Sequence, residues 1–365
     1  MVLLHIAHIV NNECNGVCVV VPQHVRAQQN FATVGLLNIT NVDVGVDNTL
    51  EYKEPFDLAS LPNPFNSPDL VVFHEAYRAQ YLKISKALVK RGIPYIIVPH
   101  GELSKHFQRI KWLKKKVANL LVFGKFIRRA KVIQCLSSGE AKETKFKNAQ
   151  KIGANAVVLP SAFKQSFSEN GIKLLYIGRL QMYHKGLDLM VRAVKNIDYF
   201  MRENGCKLCM YGPDYKGRFA RLNKLINANG VEDIITLSPA IFGEEKEKII
   251  LDSDIFIQTS RAEGAPLGVL EALSYGLPCI LTAGTNFAEF VEENDAGWAC
   301  QTDAQSISAA IVKAVGERMR LMDKSQNAVA AIEKHYCWDV IAEETVEKYK
   351  FISCGDEMLI REKID

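Results

Sequence analysis

The stretch SRAEGAPLGVLEALSYG, at residues 260–276, decides how the rest of this 365-residue chain is interpreted. It follows the apolar run 254–258 and precedes a second apolar run at 278–282, and short runs of this kind are typical of buried strands. Between them, Pro266 suits the first turn of a helix, where a missing N–H costs nothing. The stretch therefore predicts a strand, a loop, a helix and a second strand, which is the repeating unit of a parallel sheet.

The same stretch places polar groups where phosphorylated ligands usually bind. A helix that starts at the carboxyl end of a strand offers free N–H groups to an anion, and Gly264 lets the backbone approach a ligand closely. Glu271 lies one to two turns into the helix, and a carboxylate suits sugar hydroxyls because it only accepts hydrogen bonds. We expect a ligand with phosphates and hydroxyls to contact Glu263, Gly264, Ala265, Pro266, Leu267 and Glu271.

Length and composition predict an ordinary globular protein of two domains. The chain is 48% hydrophobic and 24% charged, and its length exceeds that of one average domain. No apolar run approaches the roughly 18–20 residues that span a bilayer, and we interpret the apolar residues 1–10 as a strand rather than a signal peptide. The scattered cysteines favour reduced, buried thiols. We therefore expect a cytoplasmic protein.

Strand and helix patterns alternate along both halves. Strands are predicted at 2–10, 31–39, 69–73, 94–98, 131–136 and 155–159, and then at 172–177, 206–211, 233–237, 254–258, 278–282 and 297–301. Helices are predicted near 17–29, 76–91, 107–129, 137–148, 304–335 and 338–353, with a loop at 40–68 and a linker at 160–171. The fold class is α/β: two doubly wound, Rossmann-like domains, 1–163 and 172–340, face each other across a cleft, and a C-terminal helix at 341–365 returns to the first domain.

Cations and turns follow other strands of the second domain. Arg179 and Lys185 stand in a glycine-punctuated loop between a strand and a helix, and together they predict a pyrophosphate site. Two cations in a solvated loop are the alternative, and the proximity of the 263–267 loop on the same sheet edge favours the site. The turns that we expect to line the same crevice, where structural turns would explain them nearly as well, contain Tyr211, Gly212 and Leu237.

The first domain offers weaker signals. His100 ends a strand and could hydrogen-bond a sugar or a phosphate, although a lone histidine is more often structural. Gly16 gives a close backbone approach to phosphate, but no Gly-x-Gly-x-x-Gly follows, which argues against a dinucleotide cofactor. Asp252-Ser253-Asp254 has the spacing of a metal-binding pair but precedes its strand, so we interpret it as a turn. We expect no metal and no other cofactor.

Charge is concentrated in residues 81–150, which hold 17 Lys/Arg against three Glu and leave the remainder of the chain at −10. Within 105–131, ten cations and no carboxylate accompany apolar residues at helical spacing, among them Leu113, Val117, Leu121 and Ile127. Such a helix can lie on anionic lipid or pack its apolar stripe into the domain. We expect the stripe to contribute to the core and favour an anionic membrane surface as a partner. We find no basic groove that also contains aromatic residues, so we do not expect the protein to bind nucleic acid.

Together these residues resemble the retaining glycosyltransferases of family 4, which have the GT-B fold. The resemblance rests on Gly-Arg-Leu with Lys-Gly at 178–186, on Glu263-Gly-x-Pro-Leu-Gly with Glu271 eight residues on, on Glu-Ala-Leu-x-x-Gly-x-Pro at 271–278, on Pro-His-Gly at 99–101 and on Trp338. It implies that Arg179 and Lys185 bind the donor diphosphate, Glu263 the donor sugar, Glu271 the ribose, and His100 the sugar near the reacting carbon. Only Gly16 remains of the glycine-rich phosphate loop of many members.

The resemblance implies transfer of a hexose-type sugar, with retention, from a UDP- or GDP-sugar to a saccharide acceptor. Members of this size with a basic helix resemble bacterial enzymes that build lipopolysaccharide, capsule or exopolysaccharide on lipid-linked acceptors at the inner membrane face. The catalytic residues would be His100, Glu263, Arg179 and Lys185. Two alternatives remain: a nucleotide-sugar epimerase or phosphorylase on the same fold, and a non-catalytic module that binds lipid or polysaccharide.

Overall fold

The computed structural model describes residues 1–11, 15–105, 108, 112–214, 217–264 and 266–354, apart from the side chains of 114, 115 and 120. The chain divides into two compact units. Unit 1 contains Met1–Ala156 and the chain from Trp338 onward, and unit 2 is Val157–Cys337. The division thus falls before the predicted linker 160–171, which belongs to unit 2, and a few residues before the predicted start of the C-terminal helix.

Unit 1 is built on a parallel sheet of seven strands in the order β3-β2-β1-β4-β5-β6-β7. The strands are β1 Val2–Ala7, β2 Thr33–Asn38, β3 Thr49–Glu51, β4 Leu70–His74, β5 Tyr95–Val98, β6 Ile133–Cys135 and β7 Ala149–Lys151. The helices before unit 2 are α1 Gly16–Gln28, α2 Ala79–Lys90, α3 Trp112–Ala118, α4 Gly124–Arg129 and α5 Ser138–Glu143, with a π-helical turn at Asn119–Phe123. The strand order changes direction between β1 and β4.

Unit 2 is built on a parallel sheet of six strands in the order β10-β9-β8-β11-β12-β13. Its strands are β8 Lys173–Ile177, β9 Lys207–Tyr211, β10 Ile235–Ser238, β11 Ile255–Gln258, β12 Cys279–Thr282 and β13 Gly297–Cys300. Its helices are α6 Leu187–Asn196, α7 Asp198–Glu203, α8 Arg218–Asn229, α9 Gly243–Asp252, α10 Leu267–Ser274, α11 Ala288–Glu293, α12 Ala304–Gly316 and α13 Leu321–His335. Neighbours along a strand pack into different apolar clusters, as Leu174 and Leu175 do, because successive side chains leave opposite faces of the sheet.

The two parallel sheets with their helices confirm the predicted α/β class, and all but one of the predicted strands are present. The exception is 155–159, where Val157 makes only an isolated bridge to Cys337. Two strands were not predicted. They are β3, inside the predicted loop 40–68, and β7, which follows a helix that ends at Glu143 instead of continuing to 148. Both missed strands have three residues, too few to show an apolar alternation.

The predicted linker is tied to unit 2 by a buried carboxylate. Asp254 is fully buried and accepts hydrogen bonds from the backbone N–H groups of Ser168 and Lys173, each at 2.8 Å. Lys164 Nζ lies 3.8 Å from the same carboxylate and donates to the carbonyl of Leu251. Asp254 therefore fixes the entry of β8, which supports its interpretation as a structural residue.

The last helix, α14 Trp338–Cys354, returns to unit 1 as predicted. It packs against α1, where the ring of Trp338 lies 5.7 Å from that of His24. Tyr349 is fully buried and donates a 2.7 Å hydrogen bond to Gln134 Oε1 on β6. The predicted single helix at 304–335 is instead α12 and α13, separated by a 3₁₀ turn at Arg318–Arg320.

The basic segment 105–131 differs from its prediction in the burial of its apolar side chains. Of its predicted apolar stripe, Ile127 is fully buried, but Leu113, Val117 and Leu121 are 59%, 54% and 73% exposed. The predicted contribution of these three side chains to the core is therefore wrong. Ile110, in the same stripe, lies outside the described residues. Among the helices that the structure describes, none is long and apolar enough to cross a membrane.

Candidate active site

The candidate site lies at the carboxyl edge of the six-stranded sheet, where the strand order changes direction. The chain passes from β8 outward through β9 to β10, and then returns to β11 on the other side of β8. The loops that follow β8 and β11 consequently diverge from neighbouring strands and leave a crevice between them, which is the usual ligand site of such sheets. Arg179 and Lys185 are in the first loop, and Glu263 is in the second.

The two loops are held together by a close backbone contact. Gly186 has φ +63°, and a Cβ built on it would lie 1.9 Å from the carbonyl oxygen of Thr259. The Thr259 hydroxyl also hydrogen-bonds the Gly186 carbonyl oxygen at 3.0 Å. A side chain at 186 would be strained both by the backbone conformation and by this contact. The glycine thus permits α6 to begin at Leu187, beside the loop after β11.

An ion pair next to this contact, between Arg261 and Asp188, also connects the loop after β11 to helix α6. The guanidinium of Arg261 donates to both carboxylate oxygens of Asp188 at 2.7 Å and to the carbonyl of Tyr183. Its carbon also lies 4.2 Å from the centroid of the exposed Tyr183 ring. Bidentate contacts of this kind fix orientation as well as distance. No role of Arg261 was predicted from the sequence, and its partner Asp188 is 73 residues away along the chain.

Lys185 and Glu263 form the central pair of the site. Lys185 Nζ lies 2.5 Å from Glu263 Oε1, and the two side chains are only 12% and 10% exposed. Oε1 also accepts from Ser260 Oγ at 2.5 Å and Gln258 Nε2 at 3.3 Å. Although burial raises the pKa of Glu263, the charge and hydrogen bond of Lys185, with the Ser260 hydroxyl, bring it below its usual value. Glu263 is therefore held as a carboxylate.

This pair keeps unused hydrogen-bonding capacity. The hydrogen bonds to the Glu263 side chain all reach Oε1, so Oε2 accepts nothing from the residues that the structure describes. An ammonium has three N–H groups, and within that same set the Nζ of Lys185 donates only to Glu263. The site thus offers a free carboxylate oxygen beside free ammonium protons, which matches a sugar hydroxyl next to a phosphate oxygen.

Arg179 adds an exposed cation at the mouth of the crevice. Its loop is anchored through the backbone, because Gly178 N donates to the Tyr211 carbonyl at 3.0 Å. A Cβ on Gly212 would meet the Gly178 carbonyl oxygen at 2.2 Å, so Gly212 allows the ends of β8 and β9 to approach. Tyr211 and Leu237 lie half-buried at the ends of β9 and β10. The structure therefore brings these predicted residues to one sheet edge.

Helix α10 begins one residue later than expected. Pro266 is its N-cap, and Leu267 is the first helical residue. The first N–H groups of a helix have no acceptor within it and can bind an anion. A Cβ on Gly264 would meet nothing within 4 Å, so its close approach to a ligand stays a prediction. Ala265, also predicted to bind the ligand, lies outside the described residues.

Glu271 has a cationic partner that the sequence analysis missed. Lys246 Nζ on α9 lies 2.5 Å from Glu271 Oε2, and the side chains are 24% and 32% exposed. Twenty-five residues separate them, and no spacing rule connects a helix before β11 with the helix after it. The positive charge of Lys246 balances the negative charge of the Glu271 carboxylate and leaves Oε1 as an acceptor, which is compatible with the predicted ribose contact.

His100 and Gly16 belong to unit 1. Gly16 is the exposed first residue of α1, whose N-cap Asn15 accepts from Val17 N at 3.2 Å. His100 has φ +48° and follows β5; the next residue, Gly101, donates its N–H to the buried Glu140 at 2.6 Å. Burial, with a smaller contribution from His24, lowers the pKa of His100 to about 3. The ring is consequently neutral at physiological pH.

The described residues include no group of three or more His, Cys, Asp or Glu side chains placed to hold a metal ion. Asp252 ends α9, and Asp254 is occupied by the backbone of 168 and 173, so the Asp-x-Asp spacing here has a structural origin.

Comparison with known proteins agrees with this geometry. Residues 158–331 match the family model for glycosyl transferases group 1. An uncharacterised glycosyltransferase of Methanocaldococcus jannaschii is 25% identical over 178 residues, which cover 48% of this chain and 44% of the relative. A GDP-mannose:cellobiosyl-diphosphopolyprenol alpha-mannosyltransferase of Xanthomonas oryzae pv. oryzae is 24% identical over 298 residues, covering 80% of this chain and 76% of that protein.

Among solved structures, a sucrose-phosphate synthase from Thermosynechococcus elongatus has a TM-score of 0.72 at 15% identity, covering 97% of this chain and 100% of that chain. The two units therefore have the GT-B fold. With residues 158–331 matching the glycosyl transferases group 1, the predicted resemblance to family 4 is confirmed. The chain spans less than half the length of the archaeal relative that it matches.

Proposed function

We propose that this chain is a retaining glycosyltransferase that moves a hexose-type sugar from a UDP- or GDP-sugar to a saccharide acceptor. The observation that carries the proposal is the Lys185–Glu263 pair at the strand switch point, with one carboxylate oxygen and ammonium protons unused. In a nucleotide-diphosphate sugar, phosphate oxygens lie next to sugar hydroxyls. In this site the free ammonium protons of Lys185 lie next to the free carboxylate oxygen of Glu263. The family match of 158–331 supports the same chemistry.

In the proposed reaction, positive groups stabilise the diphosphate as it leaves. Arg179, Lys185 and the N-terminus of α10 supply charge where negative charge develops, which is the most effective form of electrostatic catalysis. Glu263 Oε2 and the amides after it hold the donor sugar, and Glu271 Oε1 binds the ribose. Tyr211, Gly212 and Leu237 border the nucleoside. His100 contacts the sugar, as the family resemblance implies, and Gly16 approaches a phosphate.

We assign Glu263 to binding rather than to nucleophilic attack. Its Oε1 atom already accepts three hydrogen bonds, one of them from an ammonium, and these contacts withdraw electron density from the carboxylate. The proposed route is attack by the acceptor hydroxyl on the same face from which the diphosphate departs, so the anomeric configuration is retained. No metal takes part in this proposal, and transfer should persist in excess EDTA.

The acceptor in the proposal is a saccharide carried on a lipid diphosphate, for assembly of a surface polysaccharide. The Xanthomonas relative, whose name gives a cellobiosyl-diphosphopolyprenol acceptor, supports this class. Exposed apolar side chains on α3 and the turn after it support a lipid surface: Trp112, Leu113, Val117, Leu121 and Val122 are 48–73% exposed. The same segment, 105–131, holds ten cations and no carboxylate. An anionic membrane would bind both the apolar side chains and the cations of this segment. The protein would act there from the cytoplasmic side.

The membrane proposal is tested by sedimentation with vesicles of phosphatidylglycerol or of phosphatidylcholine alone. We expect binding only to the anionic vesicles, weakened by salt, since each Lys or Arg near such a surface contributes about 1 kcal/mol. Leu121→Glu should weaken binding at least about tenfold, because it removes apolar area and adds a repelled charge. Val312→Glu, at an exposed apolar position of α12, is the matched control. Equal binding by both variants, or binding independent of lipid charge, would overturn this part.

The reaction itself is tested by following the product. Incubation with labelled UDP- or GDP-hexose and lipid-linked saccharide should give a new glycosidic bond of the donor's anomeric configuration. A changed free sugar nucleotide would indicate an epimerase, and dependence on inorganic phosphate a phosphorylase. Donor binding with neither hydrolysis nor transfer would indicate a binding module. An inverted product would contradict the retaining mechanism while leaving the donor site intact.

A further inference from the structure

The loop after β11 that carries Glu263, here called the Glu263 loop (residues 259–264), has neighbours on two sides. Strand β11 lies between β8 and β12 in the sheet, so the loops that follow these two strands flank the Glu263 loop. On the β8 side, Gly186 and Lys185 contact it. On the β12 side, its neighbour is the Asn286 turn (residues 283–286), which consists of a 3₁₀ turn and the residue that ends it.

Groups at the end of β12 and in the Asn286 turn contact backbone carbonyls of the Glu263 loop. Thr282 Oγ1 donates to the Ser260 carbonyl at 2.8 Å, and both residues are fully buried. A Cβ added to Gly284 would lie 2.3 Å from the same carbonyl oxygen. Asn286 Nδ2 lies 2.5 Å from the carbonyl oxygen of Glu263. Because a backbone carbonyl only accepts, the amide NH₂ group of Asn286 is the donor in this contact.

The backbone on both sides of Asn286 is anchored in the interior of unit 2. Its neighbours Thr285 and Phe287 are 0% and 4% exposed. The Thr285 hydroxyl donates to the Thr282 carbonyl at 2.8 Å, and the Phe287 ring lies 5.1 Å from the ring of Tyr336. Since both neighbours are fixed, a movement of the Glu263 loop would break the Asn286 contact. The amide of Asn286 therefore restrains the loop.

The backbone conformation at Asn286 would suit a glycine better than an asparagine. Its φ is +61°, in the left-handed region where a side chain adds strain. The side chain is exposed, and among the described residues it hydrogen-bonds only the Glu263 carbonyl. Compared with a glycine, the asparagine thus contributes this one hydrogen bond, and its partner is the residue with the candidate sugar-binding carboxylate.

We propose that Asn286 is a positioning residue for the donor sugar, because its amide holds the backbone of Glu263 and so sets where Glu263 Oε2 meets the ligand. This assignment rests on the proposed function, in which Glu263 binds the sugar while Arg179 and Lys185 bind the diphosphate. Lys185 fixes the Glu263 side chain at Oε1, and Asn286 fixes the main chain of the same residue. Asn286 consequently controls affinity for the sugar part of the donor rather than for the nucleoside diphosphate.

The affinity test uses Asn286→Gly, which keeps the left-handed backbone and removes the amide. Titration calorimetry of the full chain compares UDP- and GDP-hexose with UDP and GDP. We expect the Kd of the nucleotide sugar that binds to rise about three- to tenfold, as loss of one hydrogen bond predicts, and the Kd of its nucleoside diphosphate to stay within about twofold.

Asn48→Gly is the matched control in unit 1. Asn48 is also exposed, has a φ of +56°, and donates from Nδ2 to the Val34 carbonyl at 3.3 Å. This variant should leave both affinities unchanged. If Asn286→Gly weakens the nucleotide sugar and the nucleoside diphosphate equally, Asn286 only maintains the structure of the loop, and the proposal is overturned. An unchanged Kd for the nucleotide sugar would overturn it as well.

Hydrogen exchange measured by mass spectrometry tests the restraint without any ligand. The N–H of Arg261, inside the Glu263 loop, donates to the His184 carbonyl at 2.9 Å and reports on opening of the loop. A peptide that contains residues 259–264 should exchange about three- to tenfold faster in Asn286→Gly, and Asn48→Gly should not change it. Equal exchange in Asn286→Gly and wild type would overturn the proposal. If the wild type binds no nucleotide sugar, the proposed function fails together with the sugar assignment, whereas faster exchange would still show that Asn286 holds the loop.

Discussion

The polar groups of the two sheets differ in their charge and in their hydrogen bonding. At the edge of the six-stranded sheet, the polar groups are charged pairs with unused donors and acceptors, as in Lys185 and Glu263. In the seven-stranded sheet they are neutral and connected in a line, as in His5 and His74, and burial lowers the pKa of His5 to about 3. A charged pair can bind a charged ligand, whereas a neutral line can only fix the orientation of its last member. The predictions below test whether the charged pair of unit 2 binds the ligand charge, as proposed, and whether the histidines of unit 1 stay neutral.

The largest effect should follow loss of a charge from the binding site. We expect Lys185→Ala to lower kcat/KM about 100- to 1000-fold, because one preorganised contact to developing charge is worth roughly 3–4 kcal/mol. The matched control is Lys195→Ala, which removes an exposed lysine paired with Asp198 at 3.0 Å. Steady-state rates with the donor varied would check this.

Lys185→Ala also leaves Glu263 without its partner, so folding must be separated from catalysis. The double variant Lys185→Ala/Glu263→Gln removes the unpaired charge and should recover the melting temperature but not the activity. If the double variant regains activity, or if Lys185→Ala retains it, Lys185 does not carry the ligand charge.

The second prediction concerns the contact that brings the two loops of unit 2 together. Gly186→Ala should lower the free energy of unfolding by about 2–3 kcal/mol and reduce activity, because its Cβ would overlap the Thr259 carbonyl. Gly230→Ala is a matched control with the same φ of +63° and nothing within 4 Å of the added Cβ. It should cost only the conformational strain, about 1 kcal/mol. Equal losses in urea unfolding would show that the loop contact does not matter.

The third prediction concerns the neutral line in unit 1. Burial lowers the pKa of His5 to about 3 and that of His24 to about 4, well below the unfolded value. The unfolded chain therefore binds more protons below about pH 6.5, and the stability that is present above this pH falls as the pH falls towards 4. Each such histidine contributes a slope of about 1.4 kcal/mol per pH unit.

Urea unfolding at several pH values between 7 and 4.5 measures this slope. His24→Leu should reduce this slope by about 1.4 kcal/mol per pH unit, which corresponds to one bound proton. His335→Gln, at an exposed position, should leave the slope unchanged. A free energy of unfolding that is constant from pH 7 to 5 would show that the histidines are accessible to protons, and the contrast between the two sheets would fail.

The sequence was most informative where a ligand loop joins a strand to a helix. The loop between β8 and α6 and the start of α10 near Pro266 were predicted because glycine and proline mark such turns and apolar runs mark the strands before them. Three-residue strands such as β7 carry no comparable pattern. The apolar stripe of 105–131 was misjudged because helical spacing alone does not reveal whether Leu121 contacts protein or solvent.

Partners from distant elements could not be predicted in the same way. Lys246 reaches Glu271 from the helix before β11, and its side chain follows no periodicity relative to the carboxylate. His5 and His74 carried a signal that could have been used: His5 interrupts the apolar strand β1, His74 ends the apolar strand β4, and the strand order changes direction between these two strands. Tyr349 could be connected to its partner Gln134, 215 residues away along the chain, only once α14 was placed in unit 1.

The most direct test of the central claim is donor binding measured by thermal shift. The wild-type chain, Lys185→Ala and Lys195→Ala are each heated with UDP-, GDP-, ADP- and dTDP-hexoses. At about 100 times the dissociation constant, a ligand stabilises by roughly 2.7 kcal/mol, so we expect one UDP- or GDP-sugar to raise the melting temperature of the wild type and Lys195→Ala but not of Lys185→Ala. If no nucleotide sugar stabilises the wild type, or if Lys185→Ala responds equally, the switch-point pair is not a donor site.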